Sequence, residues 1–232
     1  MGAIHFIGGG KGGVGKSVMA RVLAQYHIDR KEPVVGFDTD RSHASFTRFY
    51  ADYASPVLID RFESLDAILE GFEEAPDPTA IVDLAAQSFA PVSQWILESD
   101  LFEAARELNV DVTLWHVMDD GRDSVQLLGK LLDTFGSRPD YVVVRNEGRG
   151  ADFSAFEDSE EKARAKERDA KFMTLPRLHD ATMRKIDRLN SSFWAAVNNK
   201  GRGNRALGIL ERQRVKTWLA RSYAAVEDVV SR

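Results

Sequence analysis

One short segment constrains the fold of this chain more than any other. The sequence GKGGVGKS at residues 10–17 fits the pattern G-x-x-x-x-G-K-[ST] completely. It directly follows the apolar run of residues 4–7, and it opens a helical pattern over residues 17–29. An ordinary glycine-rich turn is the alternative, but a complete motif between a strand and a helix favours a loop that binds phosphate.

Each residue type in this loop has a chemical reason. Glycines let backbone N–H groups turn inward and approach the phosphates closely. We expect Lys16 to reach the β- and γ-phosphates as a point charge, and the Ser17 hydroxyl to ligate Mg²⁺, a hard cation that prefers oxygen. The residues predicted to bind the nucleotide in this loop are Gly10, Lys11, Gly12, Gly13, Val14, Gly15, Lys16, Ser17 and Val18.

Short apolar runs alternate with longer helical patterns along the chain. Predicted strands lie at residues 3–7, 33–37, 79–84, 111–118, 141–144 and 171–175, and predicted helices at residues 16–29, 64–71, 91–108 and 123–135. Several runs are almost continuously apolar, which is typical of parallel strands that are covered on both faces. The alternation predicts an α/β fold, a doubly wound and mostly parallel sheet with helices on both faces.

The pattern becomes helical after residue 175, with predicted helices at residues 180–198 and 204–230. We find no internal repeat and no Pro- or Gly-rich linker. The sequence therefore predicts a single P-loop domain over residues 1–232, with a helical C-terminal region over about residues 179–232. The charged stretch at residues 157–171 is predicted to be a solvated helix, and a partner-docking element is the alternative.

Composition excludes several classes of function. The chain has no cysteine, which rules out disulfides, thiolate zinc sites, iron–sulfur ligation and cysteine nucleophiles. No apolar run approaches the roughly 18–20 residues that span a bilayer, and the N-terminus lacks the features of a secretory signal. We therefore expect a cytoplasmic protein. The net charge of −5 gives no global attraction to nucleic acid or to anionic lipid.

Lys11 is a second lysine inside the loop, and it has no obvious role in a lone phosphate site because Lys16 already serves the phosphates. With this lysine, GKGGVGKS resembles the deviant Walker A motif of the ParA/MinD ATPases, and the resemblance covers about residues 1–178. In that family the extra lysine reaches across a dimer interface to the nucleotide of the other subunit. The resemblance therefore implies a catalytic role for Lys11 and a homodimer in the ATP state.

Two carboxylates follow the second predicted strand, in the sequence Asp38-Thr39-Asp40. At this spacing both leave the strand end on the same side, at the edge where a nucleotide sits. One can contribute to the Mg²⁺ shell while the other orients an attacking water. The family resemblance implies that Asp40 positions the water and that Asp38 lies near the metal. Turn chemistry with a helix N-cap is the alternative, and Arg41 stands where the family often has proline.

Asp83 ends an apolar run that resembles a Walker B strand, and it would hold Mg²⁺ through water. The sequence LAAQSFAP at residues 84–91 departs from the usual partition proteins of the family. It is similar to the short ParA-type proteins encoded in conjugal transfer regions, the TraL-like group. The sequences LAQY at residues 23–26 and DTD at residues 38–40 also fit that group.

The predicted strand at residues 141–144 continues through Arg145 and ends in Asn146. In the resembled family an Asn at this point hydrogen-bonds the adenine, and an amide offers both the donor and the acceptor that a base edge needs; a turn-capping Asn is the alternative. The sequence N-K-x-D is absent after this strand, which favours ATP over GTP. The sequence LPRL at residues 175–178 resembles the proline-containing loop that lies over the adenine in the family, which implies that Pro176 contacts the base. A proline that marks the start of a helix accounts for Pro176 equally well.

The leading hypothesis is a slow, Mg²⁺-dependent ATPase that works as a dimerising switch, is stimulated by a protein partner, and positions DNA or a transfer complex. The alternative is a small-molecule ATP-dependent phosphotransferase or ligase on the same fold, with a substrate pocket in place of the partner surface. A third hypothesis is a nucleotide-binding adaptor that does not hydrolyse ATP. The intact set of Lys16, Ser17, Asp38, Asp40 and Asp83 argues against it.

Basic residues are concentrated at residues 200–221. The segment has seven basic residues against one acid, a net charge of +6 in a chain of net charge −5. The basic residues are Lys200, Arg202, Arg205, Arg212, Arg214, Lys216 and Arg221. Three interpretations compete: a solvated helix whose Leu207, Leu210, Val215 and Leu219 pack on the sheet, nonspecific DNA binding, and membrane docking. Membrane docking is the least favoured because the apolar stripe is interrupted.

Overall fold

A parallel sheet forms the centre of the computed structural model, which describes residues 2–74, 78–201 and 205–230. The strands are β1 Gly2–Gly8, β2 Val34–Asp38, β3 Ala54–Pro56, β4 Thr79–Asp83, β5 Val110–Met118, β6 Asp140–Asn146 and β7 Lys171–Leu175. They form one seven-stranded sheet in the order β3-β2-β4-β1-β5-β6-β7, and every pair of neighbours is parallel. The C-terminal ends of all the strands therefore meet at one edge of the sheet.

Helices connect the strands. They are α1 Lys16–Arg30, α2 Ser45–Phe49, α3 Phe62–Glu74, α4 Phe89–Glu98, α5 Leu101–Glu107, α6 Arg122–Phe135, α7 Ser154–Glu157, α8 Glu160–Lys166, α9 Asp180–Arg188, α10 Phe193–Asn198 and α11 Ile209–Val230. Among the described residues, no helix combines the length and the apolar character that a membrane span requires.

Each face of the sheet is covered by its own apolar layer. Along β1 the side chains alternate, since Ile4 and Phe6 belong to the layer under α3 to α6, whereas Ile7 belongs to the layer under α1, α10 and α11. Phe193 and Trp218 join α10 to α11 in the second layer, with ring centroids 5.0 Å apart. Strands buried on both faces explain the continuous apolar runs in the sequence.

The predicted α/β, doubly wound fold is confirmed. All six predicted strands exist, with bounds that differ by at most two residues at an end. Strand β3 and helices α2 and α7 were not predicted. They contain three, five and four residues, which is too short for an apolar period to stand out in the sequence.

Several predicted helix bounds are wrong, for identifiable backbone reasons. The helix predicted at residues 91–108 is two helices, because Asp100 adopts a left-handed conformation with φ 44° between them. Asn190, with φ 48°, divides the helix predicted at residues 180–198 in the same way. In the charged stretch, α8 ends at Lys166, and Lys171 already begins β7.

The C-terminal helices pack on the layer around α1. Leu207, Val215 and Leu219 are buried as predicted, but Leu210 is 67% exposed, so its predicted packing on the sheet is wrong. The first turn of α11 projects beyond the core, which removes Leu210 from the buried stripe. The helix was predicted from residue 204 but begins at Ile209, and residues 202–204 lie outside the described residues.

Candidate functional site

The predicted phosphate loop lies between β1 and α1, at the C-terminal edge of the sheet. Its conformation depends on glycine at Gly15, where φ is 100°. A Cβ atom at this position would lie 2.2 Å from Nδ2 of Asn146. That amide nitrogen donates a 2.8 Å hydrogen bond to the carbonyl oxygen of Val14. The end of β6 therefore supports the loop directly, at the point where α1 begins.

Asn146 is 4% exposed, and both ends of its amide are engaged. Besides the bond to Val14, its Oδ1 accepts a 3.0 Å hydrogen bond from the backbone N–H of Gly148. The predicted contact with adenine stays a prediction. Sequence reasoning missed the contact with the phosphate loop, because 132 residues separate the two partners.

Lys16 lies under the loop with 8% exposure. Its Nζ donates a 2.8 Å hydrogen bond to the carbonyl oxygen of Lys11, which spans the loop from inside. Burial lowers the pKa of Lys16, and the charges of Asp83 and Asp40 oppose that shift. The ammonium group is thus positioned beside the loop, with acidic groups as its nearest charges.

Asp83 provides the clearest sign that a ligand belongs here. It is 1% exposed, and neither of its carboxylate oxygens has a hydrogen-bond partner of ordinary geometry among the described residues. Burial raises the pKa of Asp83 to about 7, and the nearby Ser17 hydroxyl opposes the rise. A buried carboxylate beside a hydroxyl is an oxygen-rich environment that fits a hard divalent cation such as Mg²⁺.

The two carboxylates after β2 are held by backbone amides. Asp38 pairs with Asp83 in the strand register, and its two oxygens accept hydrogen bonds from the amides of Asp40 and Thr47, at 3.0 and 2.9 Å. Asp40 caps the following turn, because its Oδ1 accepts from the amides of Ser42 and His43 at 2.9 and 3.0 Å. The turn chemistry considered as an alternative is therefore present, and it leaves the predicted metal and water roles untested.

The charge of Asp40 is stabilised by that turn. Partial burial alone would raise the pKa of the Asp40 carboxyl, but the amides of His43 and Ser42 hold it below its usual range. The His43 ring is also close, with Nδ1 lying 3.4 Å from Oδ2 of Asp40. Asp40 is consequently an anion at neutral pH. An ionised carboxylate accepts hydrogen bonds, which is what a group that orients a water molecule has to do.

Thr39 is a site residue that sequence reasoning missed. Its Oγ1 donates to the carbonyl oxygen of Asp83 at 3.0 Å and accepts from the amide of Ala85 at 2.8 Å. It joins the ends of β2 and β4 and fixes the spacing of the carboxylates on both strands. No sequence signal identified it, because the adjacency of β2 and β4 is visible only in the sheet.

Lys11 is turned away from its own loop. Its Nζ lies 3.1 Å from Oδ2 of Asp119 and 3.8 Å from Oδ2 of Asp123, and the side chain is 39% exposed. Asp119 is itself oriented by the Ser124 hydroxyl, which donates at 2.6 Å, and by the amide of Gly121 at 3.1 Å. These contacts hold the pKa of Asp119 below its usual range, although its partial burial opposes the shift. Sequence reasoning missed Asp119 and Asp123.

The remaining predicted residues lie around the loop. Gly10 is half-buried, Gly12 and Gly13 are exposed, and Val18 packs against the core from a half-buried position. Pro176 follows β7, and its carbonyl oxygen accepts a 2.6 Å hydrogen bond from Nε1 of Trp218 in α11. The structure therefore brings the phosphate loop and the three aspartates to one edge of the sheet, with Pro176 next to Asn146 through the paired ends of β6 and β7.

Known proteins resemble this chain in sequence and in fold. No protein-family model matches the chain. It is 30% identical over 210 residues to protein MobD of Acidithiobacillus ferrooxidans, covering 88% of this chain and 90% of that protein. It is 26% identical over 229 residues to a TraL protein of Escherichia coli, covering 93% of each.

Solved structures share the fold. The MinD cell division protein of Aquifex aeolicus has a TM-score of 0.53 at 13% identity, covering 96% of this chain and 98% of that one. A nucleotide-binding protein of Archaeoglobus fulgidus, in complex with ADP, has a TM-score of 0.51 at 14% identity, covering 81% and 86%. The sheet order and the loop between β1 and α1 define a P-loop NTPase fold of the ParA/MinD type. Within that class, the chain belongs to the family of the TraL and MobD proteins.

Proposed function

We propose that this chain is an ATP-binding and ATP-hydrolysing switch, which dimerises in its ATP state and positions DNA or a transfer complex. The observation that carries the proposal is that the two lysines of the loop differ in burial and in the direction of their side chains. Lys16 lies under its own loop with 8% exposure, whereas the side chain of Lys11 is 39% exposed and points to acidic groups outside the loop. We propose that Lys11 exchanges its ion pair with Asp119 for the nucleotide of a second subunit when the dimer forms.

The nucleotide and metal roles follow from the local chemistry. Glycine backbone N–H groups, the N-terminus of α1 and the Lys16 ammonium together form a cradle for phosphate. Ser17, Asp38 and Asp83 are the residues that would hold Mg²⁺, and the unpaired buried oxygens of Asp83 support this assignment. When bound, the ion supplies positive charge to the phosphate oxygens.

Asp40 is the group that we propose to orient the attacking water. Its lowered pKa keeps it ionised, and its Oδ2 is free of the two backbone amides that hold Oδ1. The turn that it caps fixes the carboxylate beside the strand end, so that orienting water needs no further ordering of the side chain. Slow basal turnover with stimulation by a protein partner is part of the proposal.

The base is proposed to lie near Asn146 and the loop at Pro176, with ATP preferred over GTP. Asn146 already supports the phosphate loop through Val14. Its contact with adenine would therefore couple the base to the phosphates through a single side chain. The relatives TraL and MobD support a role with a transfer complex and do not identify the cargo.

The basic residues of the C-terminal region do not form one surface. At about 100° per residue along α11, Arg214 and Arg221 lie on one side of the buried stripe, and Arg212 and Lys216 lie on the other. Arg212 also donates a 2.7 Å hydrogen bond to the carbonyl oxygen of Leu207, and Arg202 lies outside the described residues. Nonspecific DNA binding by residues 200–221 stays a prediction, and the split makes a continuous phosphate-binding stripe along α11 less favourable.

The experiment that tests the switch is size-exclusion chromatography with light scattering, with and without a nonhydrolysable ATP analogue. We expect the wild type to shift from monomer to dimer with the analogue and Mg²⁺, and Lys11→Ala to bind the analogue but remain a monomer. A wild type that stays monomeric, or a Lys11→Ala variant that dimerises normally, would contradict the proposal. ATP turnover that requires a small-molecule acceptor would instead support the phosphotransferase or ligase hypothesis.

A further inference from the structure

A groove of about 370 Å³ lies between α11 and the loop that follows β7. Leu210 and Trp218 contribute apolar surface from the helix, and Leu178 contributes it from the loop. Leu210 is 67% exposed, and its neighbour Ile209 is 75% exposed. These adjacent side chains are the two most exposed large hydrophobic residues that the structure describes. An apolar floor that continues into an exposed apolar pair is typical of a surface that binds another chain.

The rim of the groove is strongly basic. It carries Arg177, Arg214 and Arg221, and no carboxylate occurs among the described residues that line it. Arg177 is neutralised by Asp180, to which it donates two hydrogen bonds of 3.2 and 2.7 Å. Neither Arg214 nor Arg221 forms an ion pair within the part of the chain that the structure describes; the charge of Arg214 acts on Glu211, but that carboxylate is already paired with Lys185. Two guanidinium groups therefore remain available to carboxylates of a ligand.

The groove is also connected to the phosphate loop. Trp218 donates a 2.6 Å hydrogen bond from its floor to the carbonyl oxygen of Pro176. The preceding residue, Leu175, is paired in the sheet with Asn146. Asn146 in turn donates to Val14 of the phosphate loop at 2.8 Å. A chain that binds in the groove would thus lie against the first of three linked contacts that end at the nucleotide site.

We propose that this groove is the docking site for an acidic segment of a partner protein, one that carries an apolar anchor between carboxylate side chains. The anchor would cover Leu210 and Trp218, and the carboxylates would pair with Arg214 and Arg221. Charge complementarity favours such an acidic segment, because the groove is lined by Arg214 and Arg221 and by no carboxylate among the described residues. The exposed apolar side chain of Leu210 in the groove, with Ile209 next to it in the chain, favours a protein segment over DNA, because phosphate contacts make no use of apolar surface. The assignment rests on the proposed function, since it names the partner surface of that switch.

The test uses the full chain without nucleotide and three fluorescein-labelled probes. The first is a short peptide of glutamate and leucine, the second is its lysine and leucine counterpart, and the third is random-sequence duplex DNA. Binding is followed by fluorescence anisotropy at two salt concentrations. We expect the acidic peptide to bind and the basic peptide not to bind.

Matched variants locate the binding. Arg214→Glu and Leu210→Ser, both at exposed positions, should each weaken the acidic peptide about tenfold or more. Lys216→Glu makes the same charge change about 200° away around α11, and it should leave the affinity for the acidic peptide within about twofold of the wild type. Equal weakening by Arg214→Glu and Lys216→Glu, with DNA bound more tightly than the peptide, would overturn the proposal in favour of DNA.

The experiments distinguish failure of the docking proposal from failure of the proposed ATP-dependent switch. If the acidic peptide does not bind at all, the docking proposal is wrong, whatever the nucleotide behaviour. If it binds as expected while the wild type neither hydrolyses ATP nor dimerises with the analogue, the groove stands and the switch is wrong. Circular dichroism of Arg214→Glu and Leu210→Ser establishes that each variant is folded before its affinity is interpreted.

Discussion

Helix α1 carries two groups of buried polar side chains, and they are paired in opposite ways. At its N-terminus, Lys16 is buried beside the phosphate loop and close to Asp83 of β4, whose oxygens have no hydrogen-bond partner of ordinary geometry among the described residues. Further along, Gln25 is 1% exposed and fully used: its Oε1 accepts from the Tyr50 hydroxyl and from the amide of Trp194, and its Nε2 donates to Asp29.

Arg21 extends this second group. Its guanidinium carbon lies 3.8 Å from the centroid of the Phe49 ring and 4.6 Å from that of Phe193, and its Nη1 donates to Asp187 at 3.0 Å. The polar cluster of Arg21 and Gln25 thus joins α1 to α2, α9 and α10. Polar groups that are buried and left unpaired cost free energy. Nε and Nη2 of Arg21 also lack hydrogen-bond partners among the described residues, but this guanidinium lies over two aromatic rings, whereas the Asp83 carboxylate lies beside the phosphate loop. The contrast indicates that one end of α1 is organised for a ligand and that the rest of the helix is organised for packing.

The largest expected effect tests the first half of this contrast. Lys16→Ala should lower the affinity for ATP about 1000-fold, because about 4 kcal/mol is lost when two charge-assisted contacts to phosphate disappear. The melting temperature of the nucleotide-free protein should change little, since the lost attraction to Asp83 and the lost hydrogen bond to the Lys11 carbonyl oxygen are offset by the cost of burying the ammonium group. Isothermal titration calorimetry measures the affinity, and Lys216→Ala on the exposed side of α11 is the control. An ATP affinity equal to that of the wild type would contradict the proposal that this loop binds the phosphates.

The polar cluster around Arg21 should matter for stability but not for ATP binding. Arg21→Ala should lower the free energy of unfolding by about 3 kcal/mol, because it empties a site between two rings and leaves the partly buried Asp187 unpaired. ATP affinity, measured on the folded fraction, should stay at the wild-type value. Chemical denaturation gives the free energy, and the exposed Arg184→Ala should change it by less than about 0.5 kcal/mol. A large drop in affinity at full folding would show that the two regions are not separate.

A smaller effect separates the two roles of Asp40. Asn caps a turn about as well as Asp, so Asp40→Asn keeps the hydrogen bonds from Ser42 and His43 and removes only the charge. If Asp40 orients water, kcat should fall about 100-fold while the affinity for ATP is retained, and the dimer should accumulate in ATP. A steady-state phosphate-release assay measures kcat. Turnover equal to the wild type would assign Asp40 to the turn alone.

The difference between the two regions also explains what the sequence could predict. The phosphate loop, the strands and the terminal aspartates are local patterns, so residues 10–17, Asp38 and Asp83 could be placed at one sheet edge from the sequence. The pairs Asn146–Val14, Lys11–Asp119 and Arg21–Asp187 are separated by 132, 108 and 166 residues. Such contacts depend on which strands and helices become neighbours, and no periodicity in the chain records that.

The exposure of Leu210 was missed for a related reason. Its position in the sequence continues the apolar spacing of α11, so the pattern alone predicted burial. Where the helix extends past the core depends on the packing of α10 and of the loop after β7, which the spacing of apolar residues does not contain. The same holds for β3, which exists only because β2 offers it an edge.

The smallest expected effect concerns the unpaired carboxylate itself and has a definite sign. Burial raises the pKa of Asp83 from 3.8 to about 7. Between these two values the folded protein keeps a proton that the unfolded chain has released. The free energy of unfolding therefore falls as the pH rises through this window, and the loss is complete above about pH 7. An aspartate placed for a cation thus destabilises the nucleotide-free protein at neutral pH.

Asp83→Asn removes that cost, because an amide carries no charge to desolvate. We expect the variant to be more stable than the wild type by about 1–2 kcal/mol at pH 8, which is below the roughly 4 kcal/mol that a shift of this size allows, since the buried amide also lacks partners. The difference should be much smaller near pH 4, where Asp83 is protonated in the folded state and close to its titration midpoint in the unfolded state. Urea denaturation at pH 8 and pH 4 measures it, and Mg²⁺-dependent ATP turnover should be lost in the same variant. A variant that is less stable than the wild type at both pH values would mean that Asp83 is satisfied in the folded chain, and the contrast between the two ends of α1 would then fail.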